Sequence, residues 1–367
     1  MKKLISVLLT AAMVTALAAG CGNQTTQGTT AAPAETTAAA TTAAPAETTT
    51  AKATTAAATT SGNAGTKSDI VDNLGTVEAK AAYKIGFTIS ARDQFLSAME
   101  AAASAQASAL GVDMTVVDAN NNANTQIQNV QTFAGQKVNA IIVNLVNSDN
   151  MSQIQAAAGD IPVVFINRKP AEELEKGKAT YVGSDENNSG RFQGEFLAKH
   201  FKDKGKTELN VVVLQGILGL QHTILRTESA MKALEDGGMK VNVIYEDTAE
   251  FDRAKAQNKM QTFLGTNQDF DCVIANNDEM ALGAIEAMKS VGLDLKEKVV
   301  VGIDATPAGL ASMDAGELAF TVFQNPVGQG AGAVRAAVLF ANGDAVDTVV
   351  DIPFEPVSME NYKDYMK

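Results

Sequence analysis

Residues 273–283 read Val-Ile-Ala-Asn-Asn-Asp-Glu-Met-Ala-Leu-Gly, an apolar run that ends in two amides and an acid. A run with helical spacing follows, with Met280 and Met288 on one face. This pattern predicts a buried strand whose carboxyl end turns directly into a helix, with Asp278 as the helix cap and Asn277 pointing off the strand tip. In open α/β sheets, ligands bind in the crevice beyond the carboxyl ends of the strands.

The same layout recurs at residues 163–168, Val-Val-Phe-Ile-Asn-Arg, and at 299–304, Val-Val-Val-Gly-Ile-Asp. Strand and helix patterns alternate from residue 83 and restart near Ser184, and a final helix over 327–340 is expected to cross back to the first half. The sequence therefore predicts an α/β fold with two doubly wound parallel-sheet lobes joined by a hinge. We expect the polar strand ends to face one cleft and to hold one small, neutral, hydroxyl-rich ligand.

Composition and charge narrow the class of protein. The chain has 367 residues, enough for two domains, and a formal net charge of −13. Residues 1–80 contain five lysines and five acidic residues, so the whole charge lies in residues 81–367. An acidic body without a basic stripe argues against binding to nucleic acid and against electrostatic docking on anionic lipid.

Cysteine and histidine are scarce. Cys21 ends an apolar leader and is best explained by processing, so we expect no disulfide, and Cys272 is predicted to be a small buried hydrophobe. His200 and His222 are the two histidines, and the sequence contains no HExxH or CxxC motif. We therefore expect no metal and no cofactor.

Two segments precede the folded part. Residues 1–21 have two lysines, an apolar stretch and a small-residue ending at Cys21, as in a secretory leader rather than a spanning helix. The end of this leader resembles the lipobox of bacterial lipoproteins, which implies that Cys21 carries the lipid; the alternative is an ordinary secreted protein that is cleaved nearby. Residues 22–80 are rich in Thr and Ala, repeat a nine-residue stretch at 29–37 and 41–49, and are predicted to be a disordered stalk.

Several blocks occur in the order found in one known family. To the three stretches above can be added Lys-Ile-Gly-Phe-Thr-Ile at 84–89 and Tyr-Val-Gly-Ser-Asp at 181–185. With these blocks, residues 83–365 resemble the periplasmic sugar-binding proteins of bacterial ABC transporters, and more narrowly their galactose/glucose- and ribose-binding branch. The resemblance implies a two-lobed clamshell that closes on one monosaccharide and hands it to a membrane permease. It implies a first lobe of residues 81–183 plus 325–349 and a second lobe of 184–324 plus 350–367.

The resemblance also implies a set of ligand-binding residues. These are Asp93, Phe95, Asn167, Arg168, His222, Arg226, Phe251, Asn277, Asp304 and Gln324. Planar polar side chains can meet pairs of sugar hydroxyls, and phenyl rings can cover the C–H faces of a sugar. From spacing alone, Phe95 and Phe251 are better explained as core residues, and the resemblance reverses that preference. Arg226 could be a solvated helix charge and Asp304 a turn cap. His222 reads as a pocket-rim residue rather than a catalytic base.

This chain departs from the galactose/glucose branch at two places. Leu220 and His222 stand where that branch has a histidine and an aspartate, which argues against galactose or glucose itself. Lys202, Lys204 and Lys206 occupy the region of that branch's calcium loop. Because calcium requires oxygen ligands, we expect no calcium site.

Four classes of function can be compared with these sequence features. The leading one is a monomeric solute-binding protein, lipid-anchored to the outer face of the bacterial cytoplasmic membrane, that delivers a monosaccharide to an ABC permease. A receptor of the same fold, binding a sugar or an autoinducer and feeding a membrane signalling protein, is the alternative. A DNA-binding repressor would need a helix-turn-helix where the leader and stalk stand. Glycoside hydrolysis by paired carboxylates remains open from sequence alone, but an amide-rich site is typical of binding, so no enzymatic activity is expected.

Overall fold

The computed structural model describes residues 72–366, which form twelve strands and nine α-helices. The strands are β1 (Lys84–Ile89), β2 (Asp113–Asp118), β3 (Ala140–Val143), β4 (Val163–Ile166), β5 (Ala179–Gly183), β6 (Glu208–Gln215), β7 (Lys240–Thr248), β8 (Cys272–Ala275), β9 (Val299–Val301), β10 (Phe320–Phe323), β11 (Val349–Asp351) and β12 (Glu355–Ser358). The helices are α1 (Gln94–Ala109), α2 (Ala123–Gly135), α3 (Met151–Ala158), α4 (Glu186–Lys202), α5 (Gln221–Asp236), α6 (Arg253–Leu264), α7 (Asp278–Ser290), α8 (Pro307–Asp314) and α9 (Pro326–Asn342).

Within these residues the strands form two six-stranded sheets. Their orders are β11-β5-β4-β3-β1-β2 and β12-β10-β9-β8-β6-β7. Neighbouring strands are parallel, except that β12 runs antiparallel to β10. The predicted fold class, two parallel-sheet α/β lobes, is confirmed.

The chain passes between the sheets three times, after β5, after β10 and after β11. We call these the first, second and third crossings: 184–185, 324–325 and 352–354. Strand β11 pairs with β5 through Asp351. The third passage therefore falls after Asp351, two residues beyond the predicted boundary between 349 and 350, because the strand pairing continues to that point.

The central strands are buried on both faces, which explains their continuous apolar sequences. Strands β3, β4, β8 and β9 are buried along their whole length. Cys272, at the start of β8, is fully buried as predicted, and burial raises the pKa of its thiol. Helix α9 packs on α1 and on the first sheet, so the predicted return of the last long helix to the first half is confirmed.

The cap of α7 differs from the prediction. Asn277, not Asp278, is the N-cap, and its Oδ1 accepts from Met280 N at 3.0 Å. Asp278 is fully buried one residue later. Its Oδ1 accepts from Thr321 Oγ1 at 2.6 Å, and its Oδ2 accepts from Thr306 N at 2.8 Å. Either side chain can cap a helix, and these tertiary partners decide which of them does.

Residues 72–83 lie along α9, and we call this segment the strap. Val77 is buried against the core of the first lobe, and Asp72 pairs with Arg335 at 3.2 Å. Lys80 Nζ lies 2.8 Å from Asp344. The prediction of a disordered stalk that reaches residue 80 was therefore wrong for residues 72–80, because buried contacts and ion pairs hold them to the helix.

The predicted leader at 1–21, Cys21 and the remaining stalk at 22–71 lie outside the described residues. Within residues 72–366, no helix has both the length and the apolar character needed to span a membrane.

Candidate functional site

A cleft lies where the carboxyl ends of the strands of both sheets meet. It encloses about 440 Å³ of empty space, including its opening to solvent. All ten predicted site residues line it. Gln94, Leu96, Glu279 and Thr306 line it as well, and sequence reasoning did not single them out for the site.

The first lobe contributes a capped helix and a strained strand end. Asp93 is the N-cap of α1, and its Oδ1 accepts from Leu96 N at 2.7 Å. Asn167 follows β4 with φ of 64°, a left-handed conformation that is uncommon for a residue with a side chain. Its Nδ2 donates to Gln329 Oε1 at 3.1 Å, and its Oδ1 lies 3.4 Å from Asn144 Nδ2. Asn167 is thus held firmly by protein partners.

Arg168 is the first lobe's cationic donor. It is buried, and its Nη1 donates to the Leu145 carbonyl at 2.9 Å. Its Nε is buried without an acceptor among the described residues. Burial lowers the pKa of Arg168 to about 10, so the guanidinium stays charged at neutral pH. Most of its five N–H groups are therefore available to a ligand.

Arg226 is buried in the second lobe and is held more completely. Its Nε and Nη2 donate to Glu186 at 2.7 and 3.2 Å, its Nη1 donates to the Asn276 carbonyl at 2.8 Å, and its Nη2 also donates to Gln324 Oε1 at 3.3 Å. Four of its five N–H groups are thus engaged by protein. One Nη1 proton remains for the cleft, so of the two arginines Arg168 can make the wider set of ligand contacts.

His222 and Phe251 form one wall. Their rings stack with centroids 5.3 Å apart and an interplanar angle of 18°. Phe251 is half-buried and packs on the second-lobe core while it lines the cleft, and Phe95 does the same in the first lobe. Gly216 leaves room for the Phe251 ring, because a Cβ there would lie 1.9 Å from Phe251 Cζ.

His222 is a neutral polar group. Burial, followed by the charges of Arg226 and Arg168, holds its pKa well below the ordinary histidine value. The neutral imidazole offers one donor and one acceptor. Its buried Nδ1 has no partner among the described residues, so it is free to pair with a ligand.

Asp304 and Asn277 come from neighbouring strand ends of the second lobe. Asp304 has φ of 119°, outside the regions that side-chain-bearing residues ordinarily adopt. Burial raises the pKa of its carboxyl well above the usual range, although the nearby Arg226 opposes this. Asn277 Nδ2 lies 3.5 Å from the Phe251 carbonyl and keeps a second N–H for the cleft. Among the described residues, no group donates a hydrogen bond to the Asp304 carboxylate.

Gln324 lies in the second crossing, between the two lobes. Its Oε1 accepts from Arg226, whereas its Nε2 is buried without an acceptor among the described residues. A second polar chain joins the other two crossings to the cleft. In it, Gln329 Nε2 donates to Ser184 Oγ at 3.2 Å, and Ser184 Oγ donates to the Ile352 carbonyl at 2.6 Å. Since Gln329 also bonds Asn167, a cleft residue is tied to the crossings.

Sequence reasoning missed Glu186 and Gln329. Both are buried polar residues in the first turn of a helix that follows a crossing. Neither stands at the tip of a strand, which was the signal used to find the site. Nothing else in the sequences of α4 and α9 indicates the roles of Glu186 and Gln329.

Within residues 72–366, no group of three or more His, Cys, Asp or Glu side chains is placed to hold a metal ion. The absence of calcium remains a prediction. The polar groups of the cleft are of both signs and are distributed over both lobes and the second crossing. This arrangement suits the binding of a small polar molecule between lobes that move about a hinge, which is the work of a solute-binding protein.

Comparison with known proteins identifies the family. Residues 85–345 match the periplasmic binding protein domain, so the chain belongs to this family. A protein of Rhizobium meliloti whose name describes rhizopine binding is 39% identical over 260 residues, which is 70% of this chain and 82% of that protein. The D-galactose/methyl-galactoside-binding periplasmic protein of Haemophilus influenzae is 32% identical over 319 residues, covering 80% of this chain and 96% of that protein.

A solved structure adds a bound ligand. An ABC transporter solute-binding protein from Bacillus halodurans, crystallised with myo-inositol, is 37% identical with a TM-score of 0.72 and covers 80% of this chain and 99% of its own. The predicted resemblance to periplasmic sugar-binding proteins of ABC transporters is confirmed. These relatives are solute-binding proteins, and this chain is not an enzyme, as predicted.

Proposed function

We propose that this chain captures one neutral ring polyol, a monosaccharide or a cyclitol of similar size, in the cleft and delivers it to the permease of an ABC transporter. One observation carries the proposal: three residues that line the cleft, one from each lobe and one from the second crossing, have buried polar atoms without a partner among the described residues. These atoms are Arg168 Nε, His222 Nδ1 and Gln324 Nε2. Each unpaired buried group costs about 1–3 kcal/mol, so a ligand whose hydroxyls pair with them stabilises the closed form.

The charges favour a ligand without net charge. Arg226 is paired with Glu186 behind the cleft wall, and Arg168 shares the cleft with the carboxyl groups of Asp93 and Asp304. A phosphate or carboxylate on the ligand would meet Asp304, and an apolar ligand would leave the buried Nε of Arg168 without an acceptor. Hydroxyl groups can donate to the carboxylates and accept from the guanidinium groups.

Leu220 bears on the choice of ligand. It is buried at the start of α5, where its side chain offers no hydrogen bond. A polar partner that the galactose/glucose branch has there is therefore missing. The solved structure with bound myo-inositol, at 37% identity, makes that cyclitol the first probe, beside D-ribose and D-galactose.

A thermal-shift screen tests the proposal. Residues 72–366 are heated with myo-inositol and with a panel of pentoses and hexoses, each with and without EDTA. A ligand at a hundredfold excess over its Kd stabilises the folded state by about 2.7 kcal/mol, so the true ligand raises Tm. Absence of a shift with every polyol would contradict the proposal, and a loss of stability in EDTA would contradict the expectation of no calcium.

Delivery to a permease is tested in cells. Deletion of the gene is expected to abolish high-affinity uptake of the labelled ligand, and reintroducing the gene is expected to restore it. Uptake that is unchanged by the deletion would favour the signalling receptor instead.

We further propose a leader at residues 1–21, a lipid on Cys21 and a tether formed by residues 22–71, with the monomeric body on the outer side of the cytoplasmic membrane. The lipobox-like sequence at Cys21 supports this. Mass spectrometry of the mature amino terminus is expected to find a lipid on Cys21. In cell fractionation, the Cys21→Ser variant is expected to be absent from the membrane fraction. A mature chain that starts elsewhere without lipid would contradict the anchor, and a dimer in size-exclusion chromatography would contradict the monomer.

A further inference from the structure

Glu186 does not line the cleft, yet it holds the guanidinium of a residue that does. It is the first residue of α4, directly after the first crossing, and only 5% of it is exposed. Both of its carboxylate oxygens accept from Arg226, at 2.7 and 3.2 Å. Because the pair is buried, water and salt screen it much less than they screen a surface ion pair.

The helices that carry these two residues pack backbone to backbone. A Cβ at Gly190 of α4 would lie 2.1 Å from the Arg226 carbonyl oxygen, and one at Gly194 would lie 2.4 Å from the Ala230 carbonyl oxygen. Ser189 Oγ also lies 3.3 Å from Glu186 Oε2. The carboxylate and the guanidinium are therefore fixed relative to each other by close contact of two helices.

This arrangement leaves Arg226 with one directed donor. Glu186 takes Nε and one N–H of Nη2, Gln324 takes the other N–H of Nη2, and the Asn276 carbonyl takes one N–H of Nη1. One N–H of Nη1 has no partner among the described residues, and Arg226 lines the cleft. A single N–H in a fixed direction donates to a ligand hydroxyl of one configuration better than to the same hydroxyl in the epimer.

We propose that Glu186 is a positioning residue that sets the ligand's stereochemical selectivity by fixing Arg226. The inference rests on the proposed function, since it requires a polyol in the cleft. Glu186 acts only through the guanidinium, so its effect must disappear when Arg226 is absent.

Calorimetric titration of the full chain with myo-inositol and with its epimer scyllo-inositol tests this inference. Glu186→Gln is expected to weaken myo-inositol binding by about tenfold to a hundredfold, as for loss of a hydrogen bond to a charged group, and to move the ratio of the two dissociation constants toward one. Glu195→Gln is the matched control, because Glu195 lies on the same helix and pairs with Arg191 at 2.6 Å on the surface. It is expected to change neither dissociation constant.

A double-mutant cycle separates positioning from general stability. Arg226→Gln and Glu186→Gln/Arg226→Gln are expected to bind myo-inositol within about twofold of each other, because Glu186 has no guanidinium left to position. Glu186→Gln alone leaves a buried arginine without its counter-charge and lowers Tm, whereas the double variant replaces both charges with amides. If Glu186→Gln folds poorly, the double variant can still be compared with Arg226→Gln.

The contradicting outcomes differ from those for the proposed function. If wild type binds and Glu186→Gln lowers Tm but leaves the ratio of dissociation constants unchanged, Glu186 is only structural and the inference fails alone. Equal losses of affinity from Glu186→Gln in the presence and absence of Arg226 would also overturn it. If wild type binds none of the polyols, the proposed function fails and the inference fails with it.

Discussion

Asp304 combines a left-handed backbone with a buried carboxylate that no described residue compensates with a hydrogen bond. Such a carboxylate destabilises the protein when it is charged and no ligand is bound, and a ligand hydroxyl that donates to it offsets that cost. Asp304→Asn is therefore expected to keep or raise Tm without ligand and to weaken polyol binding by about tenfold to a hundredfold. Calorimetry and thermal melting check the two effects. Unchanged affinity would remove Asp304 from the site.

Gly216 limits the position of the Phe251 ring. A Cβ at Gly216 would lie 1.9 Å from Phe251 Cζ, so Gly216→Ala must push the ring out of the cleft wall. We expect the Kd for the ligand to rise by about fivefold to a hundredfold, which corresponds to the roughly 1–3 kcal/mol that overpacking typically costs. Gly135→Ala is the control, because nothing lies within 4 Å of a Cβ there. Equal Kd values for the two variants would show that the ring position does not matter.

Asp278 makes stability depend on pH. Burial raises its pKa to about 7 from the ordinary aspartate value of 3.8, and hydrogen bonds from Thr321 and Thr306 oppose this shift. Between these two values the folded state retains a proton that the unfolded state has released. The contribution of Asp278 to the free energy of unfolding therefore falls as the pH rises from about 4 to 7 and is constant above that range.

Asp278→Asn is expected to abolish this dependence. The stability of the variant relative to wild type should rise across that pH range by up to about 4 kcal/mol, at 1.36 kcal/mol per pKa unit. Urea denaturation of both proteins at pH 4, 5.5, 7 and 8 measures it. Parallel pH profiles would show that Asp278 does not titrate in this range.

At the scale of elements, a buried apolar side chain and an exposed ion pair both hold the strap, and they are expected to contribute differently to the free energy of unfolding. Val77 of the strap is buried in the first-lobe core, whereas the Lys80–Asp344 pair is exposed, with 60% of the Lys80 side chain accessible. Val77→Ala is expected to lower the free energy of unfolding by about 1.5 kcal/mol, at about 0.8 kcal/mol per buried methylene. Lys80→Ala is expected to change it by less than about 1 kcal/mol. Denaturant unfolding compares them, and a larger loss from Lys80→Ala would reverse this account of the strap.

The elements themselves were largely predictable from sequence. Strands buried on both faces have continuous apolar sequences, which a sequence pattern can detect. The polar residues that follow them, such as Asn277 and Asp304, line the cleft. Roles that depend on distant partners were not predictable. Glu186 meets an arginine 40 residues away, and Gln329 meets an asparagine 162 residues away. A local pattern holds no information about such pairs.

The cap of α7 shows the same limit on a smaller scale. Asn277 and Asp278 are both good capping residues, so spacing could not choose between them. The choice is made by Thr306 and Thr321, which bond the Asp278 carboxylate. Gly302 gives that carboxylate room, because a Cβ at this position would lie 2.3 Å from Asp278 Oδ1.

At the scale of the whole molecule, the three crossings join the two lobes, and we propose that these lobes close on the ligand. The Asn167–Gln329–Ser184 chain ties a cleft residue to the first crossing, and Gln324 joins Arg226 to the second. Because the ligand bridges both lobes, saturating ligand is expected to decrease the radius of gyration of residues 72–366 in small-angle X-ray scattering. Asp304→Asn at the same ligand concentration is expected to show a smaller decrease. Identical scattering with and without ligand would contradict ligand-driven closure.

The central claim is that residues from both lobes bind one polyol together. Isothermal titration calorimetry of wild type with myo-inositol and the monosaccharide panel, followed by Arg168→Met from the first lobe and Asp304→Asn from the second, tests it most directly. Wild type is expected to bind at least one polyol saturably at one site per chain, and each variant is expected to lose most of that affinity. Absence of binding to every polyol, or full affinity in either variant, would contradict it.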